Sequence, residues 1–199
     1  MHILKSKPIR TPRRIMPKVR RAVGPFAKSV GELVWAYNTA HARLAGFFTV
    51  IVQRDNLQMG RAIWLALKMD GAQHDVLIAA LESAKPKSQL MSRIVKNVLW
   101  ATKKVNKLAK LRNDAVHMAT GLNTSHPQWE IVVDQTATSS ARSARLLAMK
   151  DMKRTFRLAR SDLLQLAGYV TVHAIAMEYH KELFPLPRRP RLLCPQAKN

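Results

Sequence analysis

Acidic residues are scarce in this chain of 199: 12 Asp and Glu stand against 34 Lys and Arg, a formal net charge of +22. A surplus that large repels itself in a compact domain and is usually tolerated because a polyanion neutralises it. Nucleic acid is the commonest such partner and an anionic membrane surface the next. Cysteine is nearly absent. A lone Cys194 cannot form an internal disulfide, so the fold does not depend on oxidation. No apolar stretch of the kind found in secretory signals follows the basic N-terminus. The longest apolar run, 44–52, contains Gly and Thr and falls well short of the roughly 20 residues that span a bilayer. No membrane association and a cytoplasmic location are therefore expected. There is no phosphate-binding glycine loop, no G-x-S-x-G and no zinc-finger spacing, so neither a metal nor a cofactor is expected.

What is present is helical periodicity. Apolar residues make up 47% of the chain, enough for one packed domain, and most of the ten prolines sit near the two ends. Residues 1–28 carry Lys5, Lys7, Arg10, Arg13, Arg14, Lys18, Arg20, Arg21 and Lys28 and no acid. Pro8, Pro12, Pro17 and Pro25 hinder regular helix there, which predicts a flexible basic arm. From Ser29, the spacing of Val30, Leu33, Val34, Tyr37, Leu44, Phe47, Phe48 and Ile51 predicts a first helix. Arg54-Asp55-Asn56 interrupts it, and Asp70-Gly71 breaks the next helix, with Asp70 as N-cap of the one that follows. A long helix over about 88–120 has an apolar stripe (Met91, Ile94, Val95, Val98, Val105, Leu108) and a basic ridge (Lys96, Lys103, Lys104, Lys107, Lys110), closed by Gly121. An irregular or extended insertion follows, with 129–133 as a short strand. Helices over 139–151 and 153–183 complete a domain of residues 29–184. Pro185-Leu-Pro-Arg-Arg-Pro opens an extended Pro/Arg-rich tail, 185–199.

One six-residue stretch near the end of the long helix concentrates chemistry: Arg112-Asn113-Asp114-Ala115-Val116-His117. Asn113 and His117, four residues apart, share a face, whereas Arg112 lies about 140° round the axis and must curl its guanidinium to join them. Metal-independent RNA cleavage needs groups of these types. The ribose 2′-OH must lose a proton as it attacks the adjacent phosphorus, and an imidazole titrates in the right range. The phosphorane gains negative charge, which an Arg fork can hold. Asn113 could orient the imidazole or bind a phosphate oxygen. Asp114 could order Arg112 or face solvent. The plainer reading has His117 at a helix C-terminus for its favourable dipole, with Arg112 as one more basic residue on the ridge.

Arg112-Asn113-x-x-x-His117 near the C-terminal end of a long helix in an all-helical domain resembles the HEPN superfamily. The resemblance implies an all-α, HEPN-like bundle of four to five helices, with the insertion before the last two. It implies a metal-independent endoribonuclease in which Arg112 and His117 are the catalytic pair and Asn113 the intervening polar residue. A toxin–antitoxin or phage-defence setting, a homodimer that joins two motifs in one cleft, and an antitoxin or regulatory protein belong to the same expectation. Members silenced by a nucleotidyltransferase partner often carry Tyr two positions after the His, where this chain has Ala119. RNA is the expected partner, held by Lys103, Lys104, Lys107 and Lys110 and by a second basic stretch that includes Arg154 and Arg157. Asn38, on the first helix, is a candidate buried amide supporting Arg112. His41 and His74 look isolated, and His173 and His180 share a face as a half-exposed pair. Trp35, Trp64 and Trp100 fall among apolar positions and are expected to be core residues rather than base-stacking platforms. The alternatives are a non-catalytic basic protein that binds nucleic acid or nucleotides, and a helical protein that binds membrane surfaces or partner proteins.

Overall fold

The computed structural model describes residues 15–52, 56–117, 120–123, 130–133, 149, 151–179 and 185–198. Four long or medium helices, α1 (Ile15–Val52), α3 (Asp70–Ser83), α4 (Gln89–His117) and α5 (Met152–Tyr179), pack as a bundle. A short helix α2 (Leu57–Ala66) lies between α1 and α3, and one turn, α6 (Pro195–Lys198), ends the described chain. A two-stranded antiparallel hairpin, β1 (Thr120–Asn123) and β2 (Glu130–Val133), follows α4, with Thr120 opposite Val133 and Asn123 opposite Glu130. The all-α bundle is thus as expected, and the extended insertion contains the strand predicted near residue 130. Gly121, expected to close α4, lies within β1 instead. The helix expected over 139–151 lies largely outside the described residues.

Contacts between named residues fix the helix directions. Phe26 meets Phe156 with ring centroids 6.2 Å apart, and Glu32 meets Arg160 at 3.3 Å, so α1 and α5 run the same way. His173 bonds to Asn97 and Tyr169 packs edge-on against Trp100, so α5 runs against α4. Ion pairs from Asp70 to Arg112 and from Glu82 to Lys103 set α3 against α4. α1 is the element the others surround. Leu33, Ala36, Tyr37, Ala40, Leu44, Phe47 and Phe48 are all buried along it, at helical spacing. They meet Ile94, Val98, Val105 and Leu108 of α4 and Phe156, Leu163, Leu166 and Val170 of α5. Each fully buried side chain of this size contributes about 1.5–3 kcal/mol over leaving it exposed. α2 folds back closely on α1 at Gly60, where a Cβ would sit 2.9 Å from the Thr49 Cα, so glycine there permits the approach.

Two boundaries differ from the sequence reading. Helix α1 begins at Ile15, not near Ser29, so residues 15–28 of the expected arm are helical. Pro17 falls in the first turn, where its missing N–H has no helical partner to lose. Pro25 is interior and forfeits a backbone bond. The next residue, Phe26, offsets that loss by burying its ring against Phe156. The expected tail is also docked. Leu192, Cys194 and Ala197 are buried, and the fully buried Asp162 carboxylate accepts from the Leu193 N–H at 2.9 and 3.0 Å and from the Cys194 N–H at 2.7 Å. Upstream, His173 donates from Nδ1 to the Tyr169 carbonyl (2.8 Å), and its Nε2 accepts from Asn97 Nδ2 (3.1 Å). Asn97 Oδ1 in turn accepts from Arg189 Nε (3.3 Å). His173 is therefore a fully buried, neutral imidazole in the tail's anchorage, not half of an exposed pair; His180 lies outside the described residues.

Asp162→Ala strands two amide donors and is expected to cost about 1–3 kcal/mol. Native-state hydrogen exchange should show faster exchange at Leu193 and Cys194 while amides in the centre of α1 change far less. Equal acceleration at both places would mean that the tail does not open as a unit.

Candidate functional site

Arg112 sits in the penultimate turn of α4, and its side chain is turned into the bundle. The guanidinium pairs with the Asp70 carboxylate at the start of α3 and lies over the Tyr37 ring of α1, with Cζ 4.2 Å from the ring centroid. Its Nε is buried without a hydrogen-bond partner. The expected convergence with His117 is thus replaced by a junction of three helices. Asp70 is the first residue of α3 and not its N-cap; Met69 takes that position without a side-chain bond. Asp114 is buried, and the carboxylate that orders Arg112 is Asp70. Asn38, expected to be buried behind Arg112, is exposed. The position one residue earlier on α1, Tyr37, faces inward and supports the guanidinium.

His41 and His74 are not isolated. His74 is fully buried, and its Nε2 lies 3.2 Å from His41 Nδ1, while its own Nδ1 is 3.4 Å from Asn106 Oδ1. An amide oxygen accepts only, so His74 donates from Nδ1 and receives the His41 proton at Nε2. Both rings are neutral in that chain of bonds. Burial pushes the pKa of each below the ordinary value, and protonation of His41 would further oppose a charge on His74. Burial, reinforced by the negative charge of Asp70, raises Tyr37 to about 12. For Asp70, burial acts upward, but the attraction of His41, protonated at the acid pH where a carboxyl titrates, and the charge and bond of Arg112 outweigh it, leaving the carboxyl below its usual range. Gln73 completes the corner by donating to the Trp64 and Leu67 carbonyls at 2.8 and 2.9 Å, which satisfies the end of α2.

The outer face of α4 has a different character. Lys96, Lys103, Lys110 and His117 are all exposed and recur every seven residues. That spacing keeps them on one stripe about 32 Å long, drifting only slightly round the axis. Asn113 is half-buried on the turn before His117. Beside the stripe, Trp100, Lys103, Lys104, Asn106, Lys107 and Lys110 line an open cavity of about 400 Å³. Lys103 also bonds to Glu82 at 2.9 Å. Arg154 and Arg157 are elsewhere, in a cavity of about 420 Å³ between α1 and α5 that Ser29, Glu32, Asp151 and Arg160 also line. The nominated cations therefore form two basic surfaces, and only the α4 surface leads to His117.

Among the described residues no cluster of three or more His, Cys, Asp or Glu could hold a metal ion, and no helix is long and apolar enough to cross a membrane. The chain matches no family model, no curated protein and no solved structure. The junction residues that sequence reading missed, Tyr37 and Asn106, carried only a partial signal. Tyr37/His41 and Asp70/His74 are both i, i+4 pairs of polar groups, on α1 and α3, but their register against each other is a tertiary fact.

Asp70→Ala removes the carboxylate that pairs with the Arg112 guanidinium and is expected to cost about 1–3 kcal/mol, read as a lower urea midpoint. Stability should also fall with acid. The folded-state pKa values of His41, His74 and His173 all lie below 6.5. The unfolded chain therefore binds more protons just below that pH, and the stability these rings contribute is complete above pH 6.5 and lost as pH falls through their folded values. Urea midpoints at pH 7.5 and 5.5 check this; an unchanged midpoint would show that the imidazoles are not held neutral.

Proposed function

We propose that this protein binds RNA along the exposed face of α4 and is a metal-independent endoribonuclease of HEPN type in which His117 meets the reacting ribose. The observation that carries the reading is the stripe Lys96–Lys103–Lys110–His117, four exposed groups at seven-residue intervals on one helix. A polyanion following those lysines is led to an imidazole. Nothing acidic shares α4 with them before the buried Asp114, and the carboxylate paired to the stripe from another helix, Glu82 on Lys103, is one that a phosphate would displace. Asn113, one turn before His117, is placed to orient the ring or hold a phosphate oxygen. Arg112 is a positioning residue in this reading: its pairing with Asp70 and Tyr37 fixes the turn that presents His117. Among the described residues one chain offers one such imidazole, whereas cleavage needs a base and an acid. A homodimer joining two copies of the motif supplies both, and an antitoxin or other regulatory protein would be the natural means of silencing it.

A second reading, a non-catalytic RNA-binding protein, is favoured by one observation: the Arg112 guanidinium is engaged inside the bundle, so the group expected to hold the phosphorane is already occupied.

Mixed RNA incubated with EDTA separates the two readings. The nuclease reading expects wild type to leave fragments with cyclic-phosphate ends and His117→Ala to leave none, with RNA affinity within about twofold. Both proteins binding RNA without cutting it establishes the second reading. Binding should weaken steeply between 50 and 200 mM salt, by at least tenfold for even a few phosphate contacts. No binding at low salt would sink both.

A further inference from the structure

The cavity beside the α4 stripe is more than a patch of lysines, because an aromatic ring stands at one end of it. Trp100 lines the cavity together with Lys103, Lys104, Asn106, Lys107 and Lys110. The ring is half-buried rather than enclosed. It is also held from two sides. Tyr169 of α5 packs edge-on at 5.8 Å, and the Arg189 guanidinium of the docked C-terminal segment lies 5.2 Å from the ring centroid, itself tied to Asn97. A buried Trp in a helical core needs no cation over its face and borders no basic cavity. An indole fixed in place, open on a cavity and surrounded by cations, has the makeup of a stacking platform for a base whose phosphates are held alongside.

The charges support the same occupant. From Trp100 to Lys110 the helix rises about 15 Å, with a cation on nearly every turn. Lys104, although nearly exposed, has its pKa lowered by partial burial and by the neighbouring charge of Lys107, so a bound anion there relieves repulsion. Asn106 gives the cavity a group that can both donate and accept, part of which is already used by His74. A duplex keeps its bases stacked on each other and presents only backbone to such a surface, whereas a single strand can offer a base to the ring.

We propose that Trp100, with Lys104 and Lys107 beside it and Arg189 over it, is a base-stacking site for single-stranded RNA. The inference rests on the RNA-binding reading above and names the form of RNA that the surface prefers. It also gives the C-terminal segment a part in binding, since Arg189 reaches the ring only while that segment is docked.

The first test is photocrosslinking of the full-length protein to a 5-bromouridine-substituted oligoribonucleotide, with the modified peptide mapped by mass spectrometry. Attachment at Trp100 is the expected result. The second compares the single strand with a duplex of the same sequence by fluorescence anisotropy. Trp100→Leu, which keeps an apolar side chain against Tyr169 but removes the stacking ring, should weaken single-strand binding about tenfold and leave duplex binding within twofold. Tight single-strand binding without attachment at Trp100, or equal losses for both RNAs in a folded variant, overturns the stacking site while leaving RNA binding intact. Failure of wild type to bind either RNA removes the underlying reading instead. Should Trp100→Leu not fold, the crosslink on wild type decides alone.

Discussion

A guanidinium held between a carboxylate and a phenol ring is the constraint on which the arrangement of this molecule turns. Arg112 cannot leave Asp70 and Tyr37 without stranding a largely buried charge, a far larger loss than that of an exposed ion pair. Because those partners belong to different helices, one side chain sets α1, α3 and the end of α4 against each other. The neutral imidazoles of His41 and His74 extend the junction toward Asn106, so a polar seam runs between α1, α3 and α4 beside the apolar core. Apolar packing supplies most of the stability, but it is non-directional. The seam is where directional bonds choose one register.

That seam divides α4 into two working surfaces. Its inner face carries Ile94, Val98, Val105, Leu108 and the Arg112 junction. Its outer face carries the lysines, His117 and the open edge of Trp100. A helix anchored so firmly inside can present long, flexible cations outside without the backbone yielding to their repulsion. The C-terminal segment reinforces it from the far side through Arg189, Asn97 and His173, while Asp162 grips the backbone beyond. Anchorage at both ends of the helix gives His117 and Trp100 defined positions relative to one another.

Much of this was legible in the residues and some was not. The order of the described helices, interruptions close to Asn56, Asp70 and Pro86, and the basic ridge of α4 follow from periodicity and helix-breaking residues, which are local information. The N-terminal limit of α1 was hidden because proline rules describe an isolated helix, and the gain from Phe26 against Phe156 appears only once α5 is in place. The docked tail was hidden likewise: Pro185-Leu-Pro-Arg-Arg-Pro is open to extended structure, and nothing near Leu193 announces a carboxylate from Asp162, 31 residues earlier. At the candidate site, the types and spacing of Asn113 and His117 could be read directly. The direction of Arg112 could not, since a side chain able to curl either way is decided by what lies within reach, here Tyr37 and Asp70.

The cationic face of α4, relieved by Glu82 at Lys103, makes dissolved salt act in two opposed ways. Unliganded, its lysines strain against each other across distances comparable to the Debye length, about 8–10 Å at ordinary ionic strength, so added ions relax the folded state. The same ions compete with any polyanion on that face and loosen its hold. Bound polyanion and free salt are thus rival counter-ions for one helix. A ligand that displaces the salt also takes over its stabilising role, which couples occupancy of the surface to the resistance of the whole bundle to unfolding.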